Sequence, residues 1–547
     1  MTLSETFLIV VPALPALAAA AIAVARPTGE QASRWAVRAA CAAFVVAVVV
    51  AVVVAVDEPL SAVVEGGDGD ALVGLHASRV TALLGLLTTG VGVVVQSFAG
   101  RNLQGDLFGR RFFVLASLLT AATTSVAFAA TLGLLCAAWI VAGLALAALV
   151  THRATWQPAR RSSRRTLRSL WVGDIALLLA TLLSVAAVGQ IDLRSPARAA
   201  EQLANASIPV FGDHVLAVVA VLLTIAGISR SALVPVHQWL PSTIAAPTPV
   251  SALLHAGVVN GAGMLLVRLA PVFGSSTLAT HLAFAAGAVT TCYATTVMLV
   301  RSDVKGNLAW STAGQMGFMT VQVAIGAFAA ALLHILGHGM YKAALFLGAG
   351  GSVTAHHRHH QRPAPHAVPQ GLRLGVAVLV PAAALWVAYQ VVHPHLSTAA
   401  SVLVTVFAWG TAARAVDGWL RSAPFRPGAA VASASFGAVA GVFAYIGGLT
   451  AVESFIEPAL ATEVPEAVSG SLLVATLAAI TLVVAVVWVT PGERMGKVRA
   501  RVYAFALTSA PVASELTTRG SSTGVAPVPE TRHLPPRVEL ARATRSR

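Results

Sequence analysis

Charge is what this chain has least of. Only 11% of its 547 residues are Asp, Glu, Lys or Arg, against roughly 25% in soluble globular chains, and long windows of Ala, Val and Leu pass with none. That excludes a set of soluble domains. Cysteine is also scarce: Cys41, Cys136 and Cys292 lie in separate apolar runs with no CxxC spacing, so neither a disulfide framework nor an iron–sulfur site can be argued. A Rossmann glycine fingerprint, a P-loop and a flavin motif are all missing, so any energy input must come from an ion gradient or a partner.

What is present is apolar residue, 57% of the chain, with a mean hydropathy of +0.79. This predicts an all-α polytopic membrane protein. Runs of about 20 residues, each enough to cross a ~30 Å hydrocarbon core, give about 15 transmembrane helices. They begin at 3–25 and end at 470–490, and include 168–188, a broken segment at 214–246, 249–270, 309–326 and 328–350. The first run lacks a basic flank and reaches Arg26 and Pro27 without a cleavage site, so it reads as a transmembrane helix and not as a signal peptide.

The net charge of +14 could suggest nucleic acid, but the basic residues fall in short connections between apolar runs. Arg26, Arg34 and Arg38 form one such group, Arg101, Arg110 and Arg111 a second, and Arg153, Arg160, Arg161, Arg164, Arg165 and Arg168 a third. Connections on the opposite side are acidic, as at Asp57, Glu58 and Glu65 or Glu453, Glu457 and Glu463. This is a positive-inside pattern, with the N-terminus outside and the C-terminus cytoplasmic. The alternation holds only if 214–246 crosses once, as a discontinuous helix. Residues 491–547 read as a basic cytoplasmic tail, solvated and disordered for lack of apolar period.

Ser229 to Arg268 is the most unusual stretch. A run apolar enough for a membrane contains Arg230, His237, His255, Pro235, Pro241, Pro247 and Pro249. A proline removes a backbone donor and clashes with the preceding turn, so Pro235 breaks the helix just after Arg230. Such a break is tolerated in lipid only where protein or a hydrated cavity covers it. Arg230 is then either held near mid-membrane or snorkels to the inner surface. His255 follows the PTP break and is either a packing residue or a proton carrier.

Further on, HILGHGMYK places His334, His338 and Lys342 at i, i+4 and i+8, on one helix face. This favours a proton relay over a metal site, because HExxH and a nearby acidic third ligand are missing. Lys305 enters the preceding span, with Ser311, Thr312 and Gln315 placed to hold water between it and the relay; it equally fits an interfacial anchor. Asp174 is an acid just inside the sixth helix, a partner either for Arg230 or for an arginine of the adjoining connection. The tract His356 to His366 reads as a solvated loop.

Three segments, RSALVPVHQWLPSTIAAPTPVSALLHAGVVN, SDVKGNLAWSTAGQMGFM and LLHILGHGMYKAALFLGAGG, resemble the signature regions of proton-translocating antiporter-like membrane subunits. That family includes the L, M and N subunits of NADH:quinone oxidoreductase, the large Mrp sodium/proton antiporter subunits and the DabB subunits of DAB-type inorganic carbon complexes. The resemblance implies two inverted five-helix repeats, each with a broken helix, and a hydrated chain of charges. It implies a proton pathway through Asp174, Arg230, His255, Lys305, His334, His338 and Lys342, with helix breaks at Pro235, Pro247 and Pro249. It also implies N-terminal helices over 1–97, an antiporter-like core over 98–416 and C-terminal helices over 417–490.

Two departures bear on the branch. The respiratory and Mrp members of that family carry a glutamate directly after a tryptophan to pair with the broken-helix lysine; here Ile140 follows Trp139, and Arg230 replaces the lysine. Arginine scarcely deprotonates, so the usual switch is not expected, and Arg230 is expected to act as a fixed positive charge. The second broken helix also lacks its central cation, having only Pro381. These features resemble the DabB-like branch most. That likeness implies a transport subunit, not an enzyme on its own, driving a large peripheral DabA-like partner that resembles a carbonic anhydrase and carries the zinc. No cofactor is expected in this chain. The other reading is a subunit of a redox-driven pump or an Mrp-type antiporter.

Overall fold

In a computed structural model, the described residues are 2–66, 71–153, 155–351, 368–394, 398–423, 426–457, 471, 473–474, 476–478 and 493–508. The first helices are α1 (Leu3–Ala25) and α2 (Gly29–Val56), each opened by a capping box, Thr2 with Glu5 and Thr28 with Gln31. In α2 the buried residues are Ala32, Ala36, Ala40, Ala43, Ala47, Val50 and Val54, a narrow ridge at spacings of three and four. The opposite face leaves Val45, Val48, Val49 and Val52 exposed. Such a face, on a helix long and apolar enough to cross a membrane, is suited to lipid.

A two-stranded hairpin follows, β1 (Leu60–Glu65) paired antiparallel with β2 (Ala71–Ala77). It occupies a connection read from sequence as an acidic loop. Then come α3 (Arg79–Asn102), α4 (Gly109–Phe128), α5 (Leu132–Val150) and α6 (Gln157–Val188). α6 starts eleven residues before the span expected at 168–188, so the arginine-rich connection is largely helix. A short amphipathic helix, α7 (Pro196–Ala204), lies in the next connection.

The centre of the molecule is interrupted twice. α8 (Val215–Arg230) stops where the break was expected, and the chain resumes as α9 (Trp239–Ser242) and a 3-10 turn, Thr243–Ala245. The span expected at 249–270 is itself divided into α10 (Thr248–Ala256), a 3-10 turn at Val258–Asn260 and α11 (Gly261–Arg268), with α12 (Ala270–Gly274) beyond. This second interruption has no proline within it. The most apolar window of Thr248–Arg268 is 94% buried, so protein and not lipid surrounds the irregular backbone, as the scarcity of partners in lipid requires.

The remaining helices are α13 (Thr277–Val300), α14 (Val304–Ala324), α15 (Phe328–Gly348), α16 (Gln370–Val392), α17 (Thr398–Ser422), α18 (Pro427–Ile456) and α19 (Glu493–Thr508). α16 runs unbroken through Pro381, so the second broken helix implied by the resemblance is not found there. Among the described residues 11 helices are long and apolar enough to cross a membrane, and α8 is a shorter apolar one. The expected count of about 15 is not confirmed by these helices. The span at 470–490 lies largely, and the tract 356–366 wholly, outside the described residues.

Candidate proton pathway

Arg230 is the last residue of α8 and is 3% exposed. One of its Nη2 hydrogen bonds goes to Asp174 Oδ1 at 2.8 Å and another to the Trp139 carbonyl at 2.9 Å. The guanidinium carbon also lies 4.4 Å from the centre of the Trp139 ring, a cation–π arrangement. Snorkelling is therefore excluded, and of the two partners open to Asp174 it takes Arg230. Nor is Arg230 an isolated positive charge: a carboxylate at this distance cancels most of its field beyond the pair. The carboxylate that pairs with Arg230 comes from α6, while Ile140 of α5 stands beside Trp139.

Glycines make room for this pair. A Cβ at Gly143 would lie 3.3 Å from both Arg230 Nη2 and Asp174 Oδ2. At Gly261 it would lie 2.9 Å from Trp139 Cη2 and closer still to Arg230 Cγ. A cavity of about 20 Å³ adjoins the pair, lined by Thr123, Trp139, Arg230, Gly257 and Met264 among others. That is near the least space a single water molecule needs.

The two helix breaks satisfy each other. Ser231 Oγ donates to the Val259 carbonyl at 2.6 Å and accepts from the Ala262 N–H at 2.8 Å. Trp239 Nε1 donates to the Ser229 carbonyl at 3.1 Å, and Asn260 Nδ2 to the Ala256 carbonyl at 2.8 Å. Pro235 lies in the first break; Pro247 and Pro249 sit at the start of α10, where a missing N–H costs nothing. All three lie at or between helix ends.

His334, His338 and Lys342 share one face of α15, each reaching a different partner. His334 Nδ1 meets Gln322 Oε1 of α14 at 3.0 Å, His338 Nε2 meets the His255 carbonyl of α10 at 3.2 Å, and Lys342 Nζ donates to Ser311 Oγ of α14 at 2.6 Å. The two imidazole rings are 5.8 Å apart. His255 stacks on Phe346 at 4.2 Å, leaving its Nδ1 without a hydrogen bond. Lys342 is 1% exposed and, among the described residues, has no carboxylate within salt-bridge distance. A buried ammonium with one hydroxyl partner is poorly compensated, a state suited to a group that gives up its proton.

Lys305, at the start of α14, donates to the Ala246 carbonyl at 3.1 Å. It lines a polar cavity of about 310 Å³ with Asn102, Asp106, His152, Arg153 and Thr248. Burial holds the His152 imidazole below the usual histidine range although Asp106 lies 3.3 Å away and opposes the shift. Of the residues expected to bridge Lys305 to the relay, Ser311 binds Lys342, Thr312 bonds back to the Leu308 carbonyl, and Gln315 Oε1 is buried without a partner.

The structure therefore brings the seven candidates into three groups: Arg230 with Asp174; His255 with His334, His338 and Lys342; and Lys305 at the cavity. No direct hydrogen bond joins one group to another among the described residues. Sequence reasoning gave no role to Gln322 or Phe346 and none to the Trp139 ring facing Arg230. Gln322 lies one turn from the end of an apolar helix, where a buried amide signals a polar partner. His237 is buried between Tyr293 and Trp310 rings at 5.1 and 5.9 Å.

Residues 129–367 match the family described as NADH:quinone oxidoreductase/Mrp antiporter, TM. A probable inorganic carbon transporter subunit DabB1 of Halothiobacillus neapolitanus is 33% identical over 289 residues, 53% of this chain and 51% of that protein. A probable inorganic carbon transporter subunit DabB of Bacillus subtilis is 32% identical over 281 residues, 51% of this chain and 54% of that protein. A chloroplastic NAD(P)H-quinone oxidoreductase subunit 5 of Zygnema circumcarinatum is 33% identical over 284 residues, 51% of this chain and 40% of that protein. The chain thus spans about half the length of these relatives or less. In fold it is similar to a chain of the Mrp complex from Dietzia sp. DQ12-45-1b, with a TM-score of 0.59 and 22% identity over 92% of this chain and 60% of that one.

Proposed function

We propose, from the match of residues 129–367 to the family described as NADH:quinone oxidoreductase/Mrp antiporter, TM, that this chain is the proton- or cation-conducting membrane subunit of an energy-coupled inorganic carbon uptake complex. The observation that carries the conducting role is the face of half-buried His334 and buried His338 and Lys342 meeting Gln322, His255 and Ser311. The likeness to DabB subunits at 32–33% identity supports the carbon-uptake assignment. In this reading ion flow down its gradient drives a large peripheral DabA-like partner, which hydrates CO2 to bicarbonate. The partner carries the zinc. Among the described residues of this chain no group of three or more His, Cys, Asp or Glu side chains is placed to hold a metal.

The chain's own residues have distinct parts in this scheme. Lys305 stands at the polar cavity and collects protons; Lys342, the histidines of α15 and His255 pass them between α10, α14 and α15. Asp174 takes or releases the guanidinium of Arg230, since arginine itself keeps its charge. The membrane is the cell membrane, with the N-terminus outside and the C-terminus cytoplasmic.

A second reading, a subunit of a redox-driven pump or an Mrp-type antiporter, has support in the likeness to an NAD(P)H-quinone oxidoreductase subunit 5 and in the Mrp fold. Co-expression with the adjoining gene separates the two. A zinc-protein neighbour that together with this chain restores growth in air to cells needing elevated CO2 supports the first; a requirement for flavin and iron–sulfur or small hydrophobic neighbours supports the second.

A further inference from the structure

The first turns of α6 carry Arg160, Arg161, Arg164, Arg165 and Arg168, all exposed. Their spacing of i, i+1, i+4, i+5 and i+8 puts them in two adjoining rows on one helix face. None forms an ion pair among the described residues. The other face is fixed in the protein: Ser162 Oγ donates to the Ser242 carbonyl at 2.8 Å and Ser163 Oγ to the Ala147 carbonyl at 2.9 Å. The stripe is therefore held rigidly.

The same exposed face changes character within one turn. Beyond Arg168 it continues as Trp171, Ile175, Leu178, Leu179 and Leu182, which are 42–56% exposed. An exposed apolar helix face of this length faces acyl chains, and an exposed tryptophan at its edge marks the interface. At 1.5 Å per residue, Arg168 lies about 5 Å beyond Trp171, Arg164 and Arg165 about 10 Å, and Arg160 and Arg161 about 16 Å. The headgroup layer of one leaflet is roughly 5–7 Å deep, and an arginine side chain can reach back along its helix.

The geometry points to a binding surface for the phosphate headgroups of anionic lipids, made by Arg168 at headgroup depth with Arg164 and Arg165 reaching it from just beyond, and reinforced at longer range by Arg160 and Arg161. Three observations select lipid over an acidic protein. The stripe is continuous with a lipid-facing surface, Trp171 marks the seam, and Arg168 falls within the headgroup layer with Arg164 and Arg165 about 3–5 Å beyond it, within the reach of a long side chain. Guanidinium forks bind phosphate oxygens in pairs. The leaflet is the inner one in the orientation proposed above.

The test is native mass spectrometry of the full chain, titrated with phosphatidylglycerol and with phosphatidylcholine. Each arginine near an anionic surface contributes about a fivefold affinity gain. The parent is expected to prefer phosphatidylglycerol, and the triple variant R164Q/R165Q/R168Q to lose that preference by tenfold or more. The pair R160Q/R161Q should lose only about twofold, because it lies beyond the headgroups by about a Debye length. The triple Arg→Lys variant keeps charge and should stay within about threefold of the parent, which separates headgroup binding from a folding defect. A parent without headgroup preference overturns the proposal, as does a triple Gln variant that binds like the parent. If that variant keeps its lipid preference and instead loses a peripheral protein, the surface is a protein dock and the proposal is wrong.

Discussion

Arg230 and Asp174 meet at 2.8 Å across the buried seam between α8 and α6. Because α8 ends at Arg230, this contact joins the broken helix to the helix whose first turns stand at the basic face. The carboxylate comes from a neighbouring helix, and the Trp139 carbonyl and ring hold the guanidinium from the third side.

Removing one member of a buried pair leaves an uncompensated charge, which costs about 3–5 kcal/mol, whereas removing both can be nearly neutral. Asp174→Asn and Arg230→Gln are each expected to lower the thermal midpoint of the chain in lipid nanodiscs. The double variant should regain most of the loss. If the two single effects add, the pair is not coupled as the structure has it.

Gly261→Ala tests the packing around the pair. Its new Cβ would be forced against Arg230 and Trp139, and overpacking of this kind costs roughly 1–3 kcal/mol. Melting at a lower temperature is the expected outcome; Gly350→Ala, whose Cβ would meet nothing within 4 Å, should melt like the parent.

The hairpin offers a pH test outside the membrane helices. Burial, aided by the charge of Arg268, lowers the His76 imidazole to about 4, against about 6.5 when unfolded. The opened strand thus binds a proton that the folded strand refuses, so hairpin stability is full above pH 6.5 and falls as pH drops toward 4. The loss approaches about 3 kcal/mol at the lower limit. Amide exchange of β2, corrected for intrinsic rate, should show this slope, and His76→Gln should abolish it.

The sequence made some of this legible and hid the rest for physical reasons. A proline after Arg230 announces a break because the chemistry of the residue itself forbids the helix. Two histidines and a lysine at spacings of four announce a common face because α-helical period is local. The break at Val258–Asn260 could not be read, because Val-Val-Asn is compatible with helix and the interruption is held from outside by Ser231 of another segment. The partner of Asp174 was equally hidden, since two arginine sources lay within reach until helix packing chose one. The hairpin was missed because β1 and β2 are short and lie in a connection whose acidic residues suggested solvent.

The central claim is that protons move through the α15 face, and Lys342 tests it most directly. The measurement is growth in air of cells that need elevated CO2, with this chain co-expressed with the zinc-protein partner proposed above and its membrane level matched by immunoblot. The parent should restore growth, while Lys342→Ala and His338→Ala should not. Growth of the Lys342→Ala strain equal to the parent, at equal protein level, would contradict the account.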